Sequence, residues 1–155
     1  MGRGLHLTID EWFYHWFADA EKLTQASTFF FNLFEVCDKI VIQKGTRLAD
    51  KFYNLVNSSS MYPPKERLAV KSLMNLFITN SNKVFWVDDV EELSQEIIPQ
   101  LPRKDLYLVQ ICIQTTDKIC VTSDTTLHQN LLDTYPILGI KTYMVEDFMR
   151  LYPDI

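Results

Sequence analysis

Short apolar runs separated by helical patterns constrain the fold of this chain most strongly. Residues 5–9, 39–43 and 118–122 read LHLTI, KIVIQ and KICVT, and their apolar, β-branched character is typical of buried strands. Apolar side chains in the segments between them recur at helical spacing. Because strands that alternate with helices form parallel sheets, we predict a three-layer α/β/α fold around a mostly parallel sheet of four to five strands.

The remaining elements follow from weaker patterns. Residues 83–87 and 140–145 are predicted as further strands, and the Ser- and Pro-rich segment 57–64 is predicted as a loop because its prolines cannot continue a helix. Helices are predicted at 11–20, 21–36, 46–56, 65–78, 90–98 and 103–116, from residue 125 onwards, and at the C-terminus.

Length and composition indicate a single domain over residues 1–155. No apolar run reaches the roughly 18 residues of a membrane helix, and the first residues lack the apolar region of a signal peptide. The cysteines lie in apolar contexts that fit neither a disulfide framework nor a zinc site, so we expect buried thiols. These features predict a cytoplasmic protein that has no contact with a membrane.

The net charge of −5 counts against a general nucleic-acid binder, which normally presents a basic face. Net charge says nothing about local distribution, however, so basic residues near the strand ends could still hold a phosphate backbone. Each of them, taken singly, is explained as readily by solvated surface charge. The candidates for contact with RNA are Lys44, Arg47, Lys51, Arg103 and Lys104.

Acidic residues stand where predicted helices begin. Asp10 and Asp124 come just after predicted strands, and Asp105 lies in the first turn of the helix predicted at 103–116. Ligands bind at the carboxyl ends of parallel strands, so we expect these carboxylates near one edge of the sheet. Each of them alone is explained as a helix cap or as a complement to the helix dipole. Together, however, three carboxylates repel one another, and a cation, a hydrogen-bond network or water has to screen their charges.

Carboxylate oxygens are the ligands of hard divalent cations, and Mg²⁺ keeps several waters while using one or two direct carboxylates. A pair of such ions about 4 Å apart can activate a water and stabilise both oxygens of a phosphodiester displacement. The acidic residues are therefore candidate ligands of Mg²⁺ or Mn²⁺.

Three segments of the chain resemble a PIN domain. They are LHLTID at 5–10, KDLYLVQICIQTTDKICVTSD at 104–124 and GIKTYMVEDFM at 139–149, and the resemblance runs over nearly the whole chain. PIN domains are commonly Mg²⁺- or Mn²⁺-dependent ribonucleases, often the toxin of a toxin–antitoxin pair. The resemblance implies that Asp10, Asp105 and Asp124 are the catalytic, metal-binding acids, that Thr122 supports Asp124, and that Ser123 lies beside the site.

One position departs from the family pattern. A PIN domain has a Glu in the helix after the second strand, whereas RLADKFYNLV offers Asp50 followed by Lys51. Either Asp50 serves as the ligand with a side chain one methylene shorter, or Lys51 holds the place and the site is weakened. A third explanation of Asp50 is a solvated helical acid paired with a neighbouring cation.

Two functions follow from the resemblance. The first is a metal-dependent endoribonuclease with RNA as substrate and, for a toxin, an antitoxin as partner. The second is a catalytically weakened PIN-like module that binds another protein or a second copy of itself. The aromatic residues at 12–17 could stack bases, although their helical spacing favours core packing or an interface. A small-molecule site at the same sheet edge is a more distant alternative, because no Gly-rich turn is present.

Overall fold

A computed structural model of the chain describes residues 4–57, 65, 67–80 and 82–155. The fold is α/β, with helices on both sides of a five-stranded sheet, as predicted. The strands are β1 (His6–Ile9), β2 (Lys39–Gln43), β3 (Val84–Val87), β4 (Ile119–Thr122) and β5 (Lys141–Met144). Every strand pairs in parallel with its neighbours, in the order β3-β2-β1-β4-β5.

The first strand of the chain lies at the centre of the sheet. Leu7 is paired with Ile40 of β2 on one side and with Ile119 of β4 on the other. The residues of β4 are all buried, as are the three central residues of β2. Such uninterrupted burial is expected where helices cover both faces of a parallel sheet, and it explains why these strands are recognisable as apolar runs.

The described residues contain eight α-helices and two short 3₁₀ turns. The turns are Ile98–Gln100 and Arg103–Asp105. The helices are α1 (Trp12–Ala18), α2 (Leu23–Glu35), α3 (Arg47–Asn57), α4 (Arg67–Thr79), α5 (Leu106–Ile113), α6 (Thr125–Asp133), α7 (Tyr135–Leu138) and α8 (Val145–Leu151).

Aromatic side chains hold the first four helices together. Phe13 of α1 stacks on Phe52 of α3 with ring centroids 4.2 Å apart, and Phe30 of α2 meets Phe77 of α4 edge-on at 4.9 Å. All four are buried. The aromatic run at 12–17 therefore packs in the core, with Tyr14 as its least buried aromatic member, and is not free to stack on bases.

The prediction of a helix at 90–98 is wrong. Residues 88–94 form no regular element, and the backbone N–H groups of Ile97 and Ile98 both donate to the Ser94 carbonyl in a turn before the first 3₁₀ segment. The segment DDVEE places like charges three and four residues apart, which disfavours a helix. Asp88 is instead drawn towards Lys44, with 3.0 Å between carboxylate and ammonium.

The helix predicted at 103–116 is also shorter and less regular than expected. It begins as a 3₁₀ turn and becomes α-helical only at Leu106, and it ends at Ile113. Thr115 explains the early end, because its hydroxyl donates to the Cys112 carbonyl and accepts from the Lys118 N–H. The side chain thus replaces the next helical hydrogen bonds.

Three smaller predictions concern the cysteines, the loop at 57–64 and membrane-spanning helices. Cys112 and Cys120 are buried free thiols, but Cys37 is exposed, contrary to expectation, because it lies in the turn that leaves α2. The loop predicted at 57–64 falls, beyond Asn57, outside the described residues. Within the described ranges, no helix combines the length and the apolar character needed to cross a bilayer.

Candidate functional site

The carboxyl ends of β1 and β4 meet at a pocket of about 160 Å³. β1 delivers Asp10 to it, β4 delivers Ser123 and Asp124, and the 3₁₀ turn before α5 delivers Asp105. The structure therefore brings the three predicted acids to one place, although they are far apart in the sequence. Of the predicted basic residues, Arg47 and Lys104 also line the pocket.

Asp10 is held by hydrogen bonds and is 8% exposed. Its Oδ1 accepts from the Trp12 N–H at 3.0 Å, at the start of α1, and its Oδ2 accepts from the Thr122 hydroxyl. Burial raises the pKa of Asp10, and these hydrogen bonds oppose the rise. The Thr122 hydroxyl also accepts from the Asp124 N–H at 2.9 Å, so one side chain positions two of the acids.

Asp124 caps α6, as expected for a carboxylate at a helix start. Its Oδ1 accepts from the N–H groups of Thr126 at 2.8 Å and Leu127 at 3.2 Å. Its Oδ2 lies 3.2 Å from the ammonium of Lys104. Partial burial would raise the pKa of Asp124, but the bonds from Leu127 and Lys104 outweigh it and hold that pKa below its usual value. This carboxylate is therefore ionised, and both of its oxygens already interact with other groups of the protein.

Asp105 is buried without a full set of hydrogen bonds to replace those that it loses to water. The residue is 6% exposed and stands at the N-cap of α5, yet its side chain makes no capping hydrogen bond. Among the described residues, its Oδ2 has no hydrogen-bond partner at all. Burial is the main reason that the pKa of Asp105 rises from 3.8 to about 6; the nearby Lys104 charge lowers it and the Asp124 and Asp10 charges add to the rise. The pocket thus contains an acid with one buried oxygen that has no hydrogen-bond partner within the described ranges.

Arg47 occupies the side of the pocket contributed by α3. Its guanidinium forms an ion pair with Glu11 and lies 5.9 Å from the centre of the Tyr107 ring. Burial raises the pKa of Tyr107 to about 12, against the lowering effect of the Arg47 charge, so this phenol is protonated at neutral pH. The Tyr107 hydroxyl oxygen is buried and makes no hydrogen bond of standard geometry to any residue in the described ranges.

The other predicted site residues lie elsewhere. Asp50 is exposed in the first turn of α3 and is not among the residues that line the pocket, so its role as a ligand stays a prediction. The ammonium of Lys51 lies 4.2 Å above the Tyr14 ring, and Lys44 pairs with Asp88. Arg103 lies in the 3₁₀ turn outside the described lining.

Sequence reasoning overlooked part of the lining, namely Glu11, His15 and Tyr107. Glu11 adjoins Asp10 and Tyr107 follows Asp105 by two residues, so proximity to the predicted acids was the signal that could have found them. Among the described lining residues, α3 contributes Arg47, which forms an ion pair with Glu11.

A hard divalent cation suits the donors in this pocket. Asp10 and Asp105 supply buried carboxylate oxygens, and the Asp105 Oδ2 is free of protein partners among the described residues. Within the same residues, no group of three or more His, Cys, Asp or Glu side chains is placed to hold a metal ion. Two carboxylates nevertheless suffice for Mg²⁺, which keeps several of its waters. The residues therefore fit a two-carboxylate site better than the three- or four-acid site predicted.

No model of a known protein family, no curated protein and no solved structure matches this chain.

Proposed function

We propose that this protein is a Mg²⁺- or Mn²⁺-dependent endoribonuclease that hydrolyses RNA phosphodiester bonds at the pocket between β1, β4 and α5. The observation that carries the proposal is the buried Asp105, whose Oδ2 has no partner among the described residues and which shares the pocket with Asp10 and Asp124. A buried carboxylate without a partner opposes folding, and a site that keeps one gains most from binding a cation. The resemblance of three segments to PIN domains supports the same activity.

Asp10 and Asp105 would hold the cation, and waters would complete its shell. When bound, such an ion lowers the pKa of a bound water and neutralises charge on the phosphate. Thr122 keeps Asp10 in position by donating to its Oδ2. The ammonium of Lys104 pairs with the Asp124 carboxylate in the free protein. When RNA is present it would move to a phosphate oxygen, which is anionic like the carboxylate that it leaves.

The size of the pocket favours a phosphodiester over a whole nucleotide. A volume of about 160 Å³ is close to that of a cavity that holds one benzene ring, so a phosphate group with its attacking water would fill the pocket and leave no room for a base as well. The bases would therefore lie outside, and the site would discriminate little among them. Cleavage within a single strand, with weak dependence on sequence, is the expected outcome.

The test is cleavage of a single-stranded RNA with Mg²⁺ or Mn²⁺. Asp10→Asn and Asp105→Asn should reduce cleavage to background, whereas Asp50→Asn, on an exposed part of α3, is the matched control and should cleave like the wild type. A titration with Mn²⁺ should raise the Tm of the wild type progressively, with a gain in the free energy of unfolding of about 2.7 kcal/mol at 100 times Kd, but should not raise that of Asp105→Asn. Full cleavage by both pocket variants would rule out the assignment.

A second candidate function is a non-catalytic module that binds a protein. Two ion pairs favour it, because Arg47 with Glu11 and Lys104 with Asp124 already neutralise acids of the pocket without a cation. This candidate predicts no cleavage, no cation-dependent rise in Tm, and a stable complex or homodimer. An antitoxin is the partner that the family resemblance suggests for either candidate, in the cytoplasm where RNA is available.

A further inference from the structure

The pocket contains a hydrogen-bond donor that the proposed function has not used. Tyr107, on the first turn of α5, lines the pocket, and its hydroxyl oxygen is buried. Among the described residues the hydroxyl has no hydrogen-bond partner of standard geometry, although buried hydroxyls normally have one. Leaving such a group without a full partner destabilises the folded protein, so its retention in a site needs an explanation.

Arg47 lies beside this hydroxyl with most of its donors unused. Its Nε is directed at Glu11, and its guanidinium carbon is 5.9 Å from the centre of the Tyr107 ring. The guanidinium also interacts as a donor with the Tyr107 hydroxyl oxygen, although not in standard hydrogen-bond geometry. Because it has five N–H donors in a planar fork, others remain after its contacts with Glu11 and Tyr107. The Tyr107 O–H and the remaining N–H groups of Arg47 are therefore donors that line the pocket and are available to a ligand.

A phosphodiester is the ligand that this arrangement fits. Its non-bridging oxygens are anionic acceptors, and guanidinium groups bind them through paired hydrogen bonds. A carboxylate would meet the same donors, and the acids Asp10, Asp105 and Asp124 would repel either anion unless a cation lies between them. The proposed function, whose substrate is RNA, favours the phosphodiester.

We infer that Tyr107 and Arg47 form a phosphate-oxygen clamp that positions the RNA backbone against Asp10 and Asp105. The inference rests on the proposed ribonuclease function and adds the residues that bind its substrate. Tyr107 acts as a substrate-contacting donor, and Arg47 shares the same phosphate. Glu11 keeps Arg47 extended along the pocket wall while no RNA is bound.

Tyr107→Phe is the decisive variant, because it removes only the hydroxyl. Removing a buried hydroxyl that has no partner should leave the Tm unchanged or slightly higher. Loss of one hydrogen bond to an anion should weaken binding of a labelled single-stranded RNA, measured by fluorescence anisotropy in EDTA and again with Ca²⁺, by about tenfold. The matched control is Tyr135→Phe on α7, where the side chain is half exposed and outside the pocket, and its affinity should equal that of the wild type.

Arg47→Gln tests whether the two residues act as a pair. If both donate to one phosphate, the double variant should bind only about twofold more weakly than Arg47→Gln alone, because the effects of residues that share a partner do not add. If the loss of RNA affinity in the double variant equalled the product of the two single losses, the clamp would be overturned. Wild-type affinity in Tyr107→Phe would overturn it as well, as would a lowered Tm with unchanged affinity.

The outcome is separable from that of the proposed function. RNA binding that depends on Tyr107, without any cleavage in Mg²⁺ or Mn²⁺, would support the clamp and overturn the ribonuclease. Cleavage that depends on Asp10, with kcat/KM unchanged in Tyr107→Phe, would support the ribonuclease and overturn the clamp. Absence of both binding and cleavage would overturn both.

Discussion

Replacing Asp105 by Asn should stabilise the metal-free protein at neutral pH. Its Oδ2 has no partner among the described residues, and burial is the main reason that its pKa rises from 3.8 to about 6. Because the folded protein holds this proton more tightly than the unfolded chain does, ionisation of Asp105 opposes folding. Asn has nearly the same shape but no charge to bury.

The size of the effect follows from the pKa. A rise from 3.8 to about 6 corresponds to a penalty of up to about 3 kcal/mol, at about 1.4 kcal/mol for each tenfold change in proton affinity. The Asn amide also needs partners, which takes back part of the gain. We expect a net stabilisation of about 1–2 kcal/mol, or a rise in Tm of about 2–8 °C for a domain of this size.

The stabilisation by Asp105→Asn depends on pH. Below about pH 3 the acid is protonated in both the folded and the unfolded state, so the wild type carries no penalty. The penalty grows as the pH rises from about 4 to 6 and is complete above about pH 7, where both states are ionised. The advantage of Asp105→Asn should therefore be absent in acid and should appear within this window.

Thermal and urea unfolding in EDTA, between about pH 4 and pH 8, measures this advantage. Asp50→Asn is the control, since Asp50 is exposed, and it should track the wild type throughout. Adding Mn²⁺ should reverse the order at neutral pH, because the wild type alone gains from the cation under the proposed function. Equal stabilities of Asp105→Asn and wild type at pH 7.5 in EDTA, or a gain at pH 4 as large as the gain at pH 7.5, would refute the burial argument.

Three further outcomes are expected. Asp124→Ala should lower the free energy of unfolding by about 1 kcal/mol in urea titrations, whereas Asp124→Ser, which can still cap α6, should lower it by only a few tenths. Thr122→Val should cost about 1–3 kcal/mol in the same assay, since it leaves the Asp10 carboxylate and the Asp124 N–H without their shared hydroxyl. In the native protein a thiol reagent should modify Cys37 rapidly and the two buried cysteines only at the rate of unfolding, as followed by mass spectrometry.

The central strands were predictable because burial on both faces of the sheet requires a continuous apolar run in the sequence. β2 coincides with its apolar run, and β1 and β4 differ from theirs by one residue at the start. Helices were harder to delimit, because their ends depend on particular hydrogen bonds. Neither the hydroxyl of Thr115 nor the turn at Ser94 is visible in the spacing of apolar residues.

The candidate site, too, was predictable only in part. Asp10, Asp105 and Asp124 could be placed together because residues at the carboxyl ends of adjacent parallel strands share an edge. The pairing of Arg47 with Glu11, and the position of Tyr107 beside it, depend on how α3 and α5 approach each other. That approach is a tertiary property, and no local pattern in the sequence encodes it.

The central position of β1 has a consequence for synthesis on the ribosome. Asp10 and its partner Thr122 are separated by 112 residues, so the first strand emerges long before the neighbour that completes its other edge. Until then β1 can pair only with β2, and the nascent chain has no pocket in which to bind a cation. Under the proposed function, translation would thus delay the appearance of an activity that could otherwise attack the message being read.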